Sequence, residues 1–158
     1  MPTPTITQYF AQDHDRLDDI LNTFRTEKYR NYEKAKEAFQ HFRQALERHI
    51  LREEELLFPL WEEKTGIAHG GPTSVMRGEH RQIGERLEAL GRKVDNEIPD
   101  TGAEEQALMV LLSTHNMKEE RVLYPSLDKL ANDEERDELY EKMKLAPDGH
   151  SKVCCCRD

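Results

Sequence analysis

The chain has 158 residues, 35% charged and 36% hydrophobic, with 8 Gly and 7 Pro. That mix favours one domain of helices with broad solvated faces over a strand-rich or disordered chain. A net charge of −9 argues against nucleic acid or an anionic membrane surface as a partner, and no stretch approaches the ~20 apolar residues of a membrane span.

The amino-terminal sequence has neither a basic nor an apolar leader region, so an unprocessed, cytoplasmic protein is expected. A Thr5–Gln8 capping box opens the first helix. Phe10, Leu17, Leu21 and Phe24 then recur at helical spacing, forming one apolar stripe. The second helix follows Asn31 and carries Phe39, Phe42, Leu46, Leu56 and Leu60. A linker from Gly66 to Thr73, with Gly70, Gly71 and Pro72, breaks the helical pattern. The third helix carries Met76, Ile83, Leu87, Leu90 and Val94, and the turn at Pro99 and Asp100 follows it. The fourth is expected from a Thr101–Glu104 capping box through Leu108, Leu112, Val122 and Leu127. The second and fourth helices, at roughly 30 residues, would each reach about 45 Å.

A shorter segment, Asp133 to Leu145, has Leu139 and Met143 on one side and reads as an accessory helix. The fold expected is all-α: an up-down-up-down four-helix bundle with a short C-terminal accessory helix and a flexible tail. The domain is expected over residues 1–146 and the tail, with Cys154, Cys155 and Cys156, over 147–158. Three consecutive cysteines cannot make a disulfide framework and point to a reducing compartment or a redox role.

Polar residues interrupt every stripe. Their seams read Phe10, His14, Leu17; then Leu46, His49, Glu53; then Met76, His80, Ile83; then Leu112, His115, Glu119. A step of four residues returns to nearly the same helix face, so each glutamate joins its histidine on the core side. An isolated buried carboxylate costs several kcal/mol, and no seam position supplies a lysine or arginine. A divalent cation is the simplest compensation. A metal-free histidine–glutamate network is the alternative.

The pattern also repeats. His14 and His80, His49 and His115, and Glu53 and Glu119 are each 66 positions apart. Glu53-Glu54-Glu55-Leu56-Leu57-Phe58-Pro59 matches Glu119-Glu120-Arg121-Val122-Leu123-Tyr124-Pro125, and Asp13-His14 matches Glu79-His80. The chain therefore reads as a duplicated helix hairpin, about 5–65 and 73–131, with a pseudo-twofold axis. Twofold symmetry implies two metals, each taking two imidazoles, with both glutamates bridging. An oxide or hydroxide bridge would leave an open position for a diatomic ligand. Nitrogen and oxygen donors with open positions suit non-haem iron, with manganese, zinc and cobalt as alternatives.

These motifs resemble the hemerythrin-like, or HHE cation-binding, family over about residues 5–131. The resemblance rests on His14 in Asp-His-Asp-Arg-Leu, His49-x-x-x-Glu53 running to Leu-Phe-Pro, Glu79-His80, and His115-x-x-x-Glu119 running to Leu-Tyr-Pro. It implies an oxo- or hydroxo-bridged di-iron centre on His14, His49, Glu53, His80, His115 and Glu119, binding O2 or NO. The invertebrate oxygen carriers have a further histidine where this chain has Gly84, so the chain resembles the four-histidine, two-glutamate bacterial branch. A sensing, storage or detoxification protein is the leading expectation, more a binding protein than an enzyme. The alternatives are an iron donor for damaged iron–sulfur clusters, with the thiol tail contacting the client, and a peroxide- or NO-processing enzyme.

Around the site, Glu54 and Glu120 are read as solvated, since one residue beyond the ligand rotates them off the seam. Asp18 is the candidate for the second nitrogen of His14, or plain surface. Phe10 and Met76 are candidate walls of the open positions, or ordinary core; Tyr124 and Phe58 occupy equivalent repeat positions, and a role for the tyrosine as an electron source near iron is not adopted. His41, His69 and His150 fall off the seam and are expected not to be ligands.

Overall fold

The computed structural model describes residues 2–145. The segment 147–158, with His150 and the three cysteines, lies outside the described residues.

The described residues form helices and no strand. They are α1 (Ile6–Glu27), α2 (Tyr32–Arg52), α3 (Phe58–Thr65), α4 (Pro72–Asp95), α5 (Gly102–Lys118), α6 (Tyr124–Leu130) and α7 (Asp133–Leu145). Two wide π turns, Glu53–Leu57 and Glu119–Leu123, join α2 to α3 and α5 to α6 into single long rods.

Capping sets several boundaries. Thr5 and Gln8 form the reciprocal capping box at the start of α1, and the Asn31 side chain accepts from the Lys34 amide at the start of α2. Gly66 ends α3 with a left-handed φ of 73°, a conformation glycine adopts without a Cβ penalty. Pro72 then starts α4, so the last two residues of the expected linker, Pro72 and Thr73, are helical, because the fixed φ and missing N–H of Pro72 suit the first helical turn. The expected Thr101–Glu104 capping box does not form. Thr101 makes no side-chain cap bond to α5; its hydroxyl instead donates to the Glu105 carboxylate.

Contacts along the rods run antiparallel. His14 meets His49 and Phe24 meets Phe39 across α1 and α2. His80 meets His115 and Lys93 meets Glu104 across α4 and α5. The two hairpins close on each other through Arg25 with Glu105 and Arg77 with Glu62.

Two apolar cores fill the bundle. One gathers Phe24, Phe39, Phe42, Leu87, Leu90 and Leu108. The other gathers Ile6, Phe10, Leu57, Phe58, Trp61, Tyr124 and Leu127 under α7, whose Leu139 and Met143 seal it. The histidine-bearing layer lies between them.

The π turns correct the seam read from sequence. Pro59 and Pro125 have no N–H to give the carbonyl four residues back, and their rings would clash with it. The chain widens instead: the Phe58 amide bonds to the Glu53 carbonyl and the Tyr124 amide to the Glu119 carbonyl, five residues back. One extra residue per turn advances the apolar register. Leu57 and Trp61 are therefore buried while Leu56 and Leu60 are only half-buried. Likewise Leu123 is buried, and Val122, expected on the seam, is 60% exposed.

Candidate metal centre

His14, His49, His80 and His115 each sit on a different helix, and Glu53 and Glu119 open the two π turns. All six side chains are buried, both glutamates at 0% exposure. Their donor atoms converge: Nε2 of His49 lies 3.1 Å from Oε1 of Glu53, and Nε2 of His115 lies 3.0 Å from Oε1 of Glu119. Each glutamate also reaches across to the other hairpin, Glu53 to His80 and Glu119 to His14, both at 3.5 Å. The imidazoles of His14 and His49 face each other at 3.1 Å.

Three of the four outer ring nitrogens are held by carboxylates, and Nδ1 of His115 is buried without a hydrogen-bond partner. Nδ1 of His14 pairs with Glu120 at 2.8 Å and Nδ1 of His80 with Glu54 at 2.9 Å. This corrects the reading of Glu54 and Glu120 as solvated: a rotation of one residue off the seam aims them at the neighbouring helix. Glu120, rather than Asp18, takes the second nitrogen of His14. Nδ1 of His49 pairs with Asp13 at 2.8 Å. Glu79 lies 3.7 Å from Nδ1 of His115 because its carboxylate is drawn to Lys118 at 3.1 and 3.2 Å. Carboxylates on Nδ1 leave Nε2 pointing inward, which is how ligating histidines are oriented.

The sequence had shown these acids only as parts of the repeat. The missed signal was an acid beside each candidate ligand at the same 66-residue offset: Asp13 with Glu79, and Glu54 with Glu120.

The field inside the cluster favours positive charge. Burial pushes the His49 imidazole down, but the Glu53 charge and the Asp13 hydrogen bond outweigh it and raise it to about 10. Burial likewise opposes His80, and the neighbouring Glu53 and Glu54 carboxylates outweigh it and raise it to about 9. Burial pushes Glu53 up, and the His49 charge more than reverses that, holding it well below the usual carboxylate range. Asp13 is held down to about 2, as bonds to His49 and Arg16 outweigh its burial.

A cation fits this donor set. Oε1 of Glu53, Nε2 of His80 and both carboxylate oxygens of Glu119 are buried without a hydrogen-bond partner, and such orphans are rare unless something else satisfies them. Two groups of donors lie close enough to share an ion: Glu53, His80, His115 and Glu119, and His14, His49 and Glu119, each within 4.8 Å.

The walls are aromatic on one side of each pair. Phe10 stands edge-on to His49 at 5.5 Å, and Phe58 stacks on His80 at 5.6 Å. Tyr124, the repeat partner of Phe58, tilts against His14 at 5.8 Å and donates its hydroxyl to Oε2 of Glu53 at 2.8 Å. A surface groove of about 560 Å³ between α1 and α5 reaches His14 past Asp18, Asn116 and Glu120. Asn116 and His14 also line a small inner cavity of about 10 Å³ beside His49 and His115. His41 and His69 are exposed and away from the cluster.

A helical bundle with a buried layer of imidazoles and carboxylates defines a cation-binding class of protein. The chain belongs to the hemerythrin HHE cation binding domain family, whose profile matches residues 5–127. Iron binding is the property that membership implies, and the histidine and glutamate groups are positioned for it.

Among curated proteins, the chain is 48% identical over 61 residues to the iron-sulfur cluster repair protein YtfE of Edwardsiella ictaluri, covering 39% of this chain and 28% of that one. It is 39% identical over 54 residues to the YtfE of Escherichia coli O157:H7, covering 34% and 24%. The Yersinia pseudotuberculosis protein of that name is 36% identical over 58 residues, covering 37% and 26%. The chain thus matches only about a quarter of these relatives' length. No solved structure matches the chain. No helix among the described residues is long and apolar enough to cross a membrane.

Proposed function

We propose that residues 1–146 form a hemerythrin-like domain that holds two iron ions on His14, His49, His80, His115, Glu53 and Glu119 and binds O2 or NO, for sensing, storage or detoxification. The observation that carries this reading is the set of buried, unpartnered donor atoms of Glu53, His80 and Glu119 converging between four helices. Iron there would supply a redox-active position open to a diatomic ligand. The protein's own contribution is to fix the imidazoles of His14, His49 and His80 through outer carboxylates and to shield the layer from bulk water between two apolar cores. A cytoplasmic setting, with no membrane or nucleic-acid partner, accords with the acidic surface and the thiol-rich terminus.

The test is anaerobic loading with ferrous iron, metal quantification, and absorption spectra before and after exposure to O2 or NO. Two irons per chain with new charge-transfer bands is the expected result, and His49→Ala and Glu53→Ala should each lose iron. Retention of two irons by both variants, or no iron in the wild type, would overturn the reading.

A second reading is favoured by the names of the relatives: an iron donor to damaged iron–sulfur clusters. Transfer of iron from the loaded chain to an apo cluster protein would support it. Its loss on removing residues 151–158 would assign the contact to the cysteines.

A further inference from the structure

Of the four imidazoles in the polar layer, only that of His115 leaves its outer nitrogen without a partner. Its repeat counterpart shows what is missing. Beside His49, the Asp13 carboxylate serves two donors: Oδ2 sits 2.8 Å from Nδ1 of the ring, while Oδ1 takes Arg16 at 2.8 and 3.0 Å. Beside His115, both oxygens of Glu79 take the Lys118 ammonium, at 3.1 and 3.2 Å, and Oε1 stops 3.7 Å from Nδ1.

Two departures from the repeat accompany this. Gln82 stands where the first half has Arg16, so Glu79 has no guanidinium one turn along its own helix. Lys118 stands where the first half has Arg52, whose guanidinium donates to the Met143 carbonyl of α7 at 3.4 Å. Lys118 instead crosses from α5 to Glu79 on α4, and both line a groove of about 650 Å³ between those helices. Glu79 is buried and the Lys118 side chain is 48% exposed. The ammonium compensates the buried carboxylate and withholds it from the ring.

We propose that Lys118 is a positioning residue that holds Glu79 off His115, leaving that imidazole the least firmly set of the four and the ion it would ligate the easier to release. A carboxylate on the outer nitrogen orients a ligating ring and raises its basicity, so withholding one loosens the hold. This rests on the two-iron reading above and deepens it: release is built into one side of the layer by a residue that ligates nothing.

The experiment is an anaerobic chelator competition for ferrous iron on the full chain, run as a double-mutant cycle over Lys118→Met and Glu79→Gln. Lys118→Met frees Glu79 to close on Nδ1 of His115 and should tighten one of the two iron-binding steps by about tenfold, with the other unmoved. Glu79→Gln alone should change little, because the carboxylate does not serve the ring. In the Glu79→Gln background, Lys118→Met should lose its gain, whereas a plain loss of positive charge near the ions would keep it. A gain that persists there overturns the proposal. So does a Lys118→Met that lowers the melting temperature and leaves both steps where they were, the result of a purely structural role. Should Lys118→Met fail to fold, adding Gln82→Arg returns a cation to Glu79 in the manner of Arg16, and wild-type binding steps in that double variant overturn the proposal equally. A wild type that binds fewer than two irons defeats the two-iron reading, and this inference with it. Two bound irons with both steps indifferent to these substitutions defeat this inference alone.

Discussion

Glu120 places its carboxylate 2.8 Å from Nδ1 of His14, and Glu54 stands in the same relation to His80. Each bridges two helices and fixes the tautomer of a ring whose other nitrogen faces the centre. Removing such a partner typically lowers metal affinity by about 10- to 100-fold. Glu54→Gln and Glu120→Gln should each weaken iron binding by that order in a chelator competition, with the helical content unchanged. An affinity within twofold of wild type in both would show that the rings are oriented by packing alone.

Asn116 offers a polar side chain where the groove between α1 and α5 meets the interior. Asn116→Ile restores the residue of the first repeat and narrows the passage without touching a candidate ligand. The variant should hold as much iron as the wild type and bind NO severalfold more slowly in stopped-flow mixing. An unchanged rate would place the entry elsewhere.

At the opposite end of the bundle, Lys28 and Glu105 form a buried ion pair, with Thr101 bonded to both. The equivalent residues of the other hairpin are Val94, Phe39 and Ala35, all apolar and buried. Breaking the pair with Glu105→Ala should cost about 3–5 kcal/mol, because it strands a buried ammonium. The double change Lys28→Met with Glu105→Leu should recover most of that loss in urea melts.

The same pair gives a pH signature. Burial pulls the Lys28 amine down, but the hydrogen bond to Glu105 outweighs it and raises the amine above its ordinary value. A raised folded-state pKa means the contribution is full below the unfolded value and is lost as pH climbs through the folded one. Wild-type stability should therefore fall in the alkaline range above the usual lysine pKa, more steeply than in the double variant. Parallel curves would show that the pair does not set the alkaline limit.

Gly91 lies where α4 approaches α2. A Cβ there would meet Nη1 of Arg43 at 2.9 Å and Cε1 of Phe39 at 3.5 Å. The close atom ends a flexible side chain that has room to turn outward, since Arg43 is 28% exposed. Gly91→Ala should thus keep most of the helix-propensity gain of up to about 1 kcal/mol. A lower melting temperature would mean that Arg43 cannot yield.

Much of this was legible beforehand because burial in a bundle is written as helical period. The six core-side polar residues, the two hairpins and the accessory helix over Asp133–Leu145 all follow from spacing. The register beyond the glutamates did not. Leu56 and Val122 fit an uninterrupted α-helix, and only the prolines at 59 and 125 hinted that the turn would widen. The partners of the outer ring nitrogens were hidden for a related reason. A residue one step off the seam faces solvent on a lone helix but faces a neighbour in a bundle, and single-helix geometry does not contain that neighbour.

The placement of the polar layer has a mechanical consequence. Residues such as Phe39 and Leu90 on one side and Leu57 and Tyr124 on the other belong to separate apolar cores, and the widened turns give each rod a different register on either side. Six ligand candidates and their carboxylate partners thus act as a splice between two apolar clusters that share the same continuous helices. Loosening that layer should therefore uncouple the two clusters, and a melt that broadens or splits on Glu53→Ala would show it.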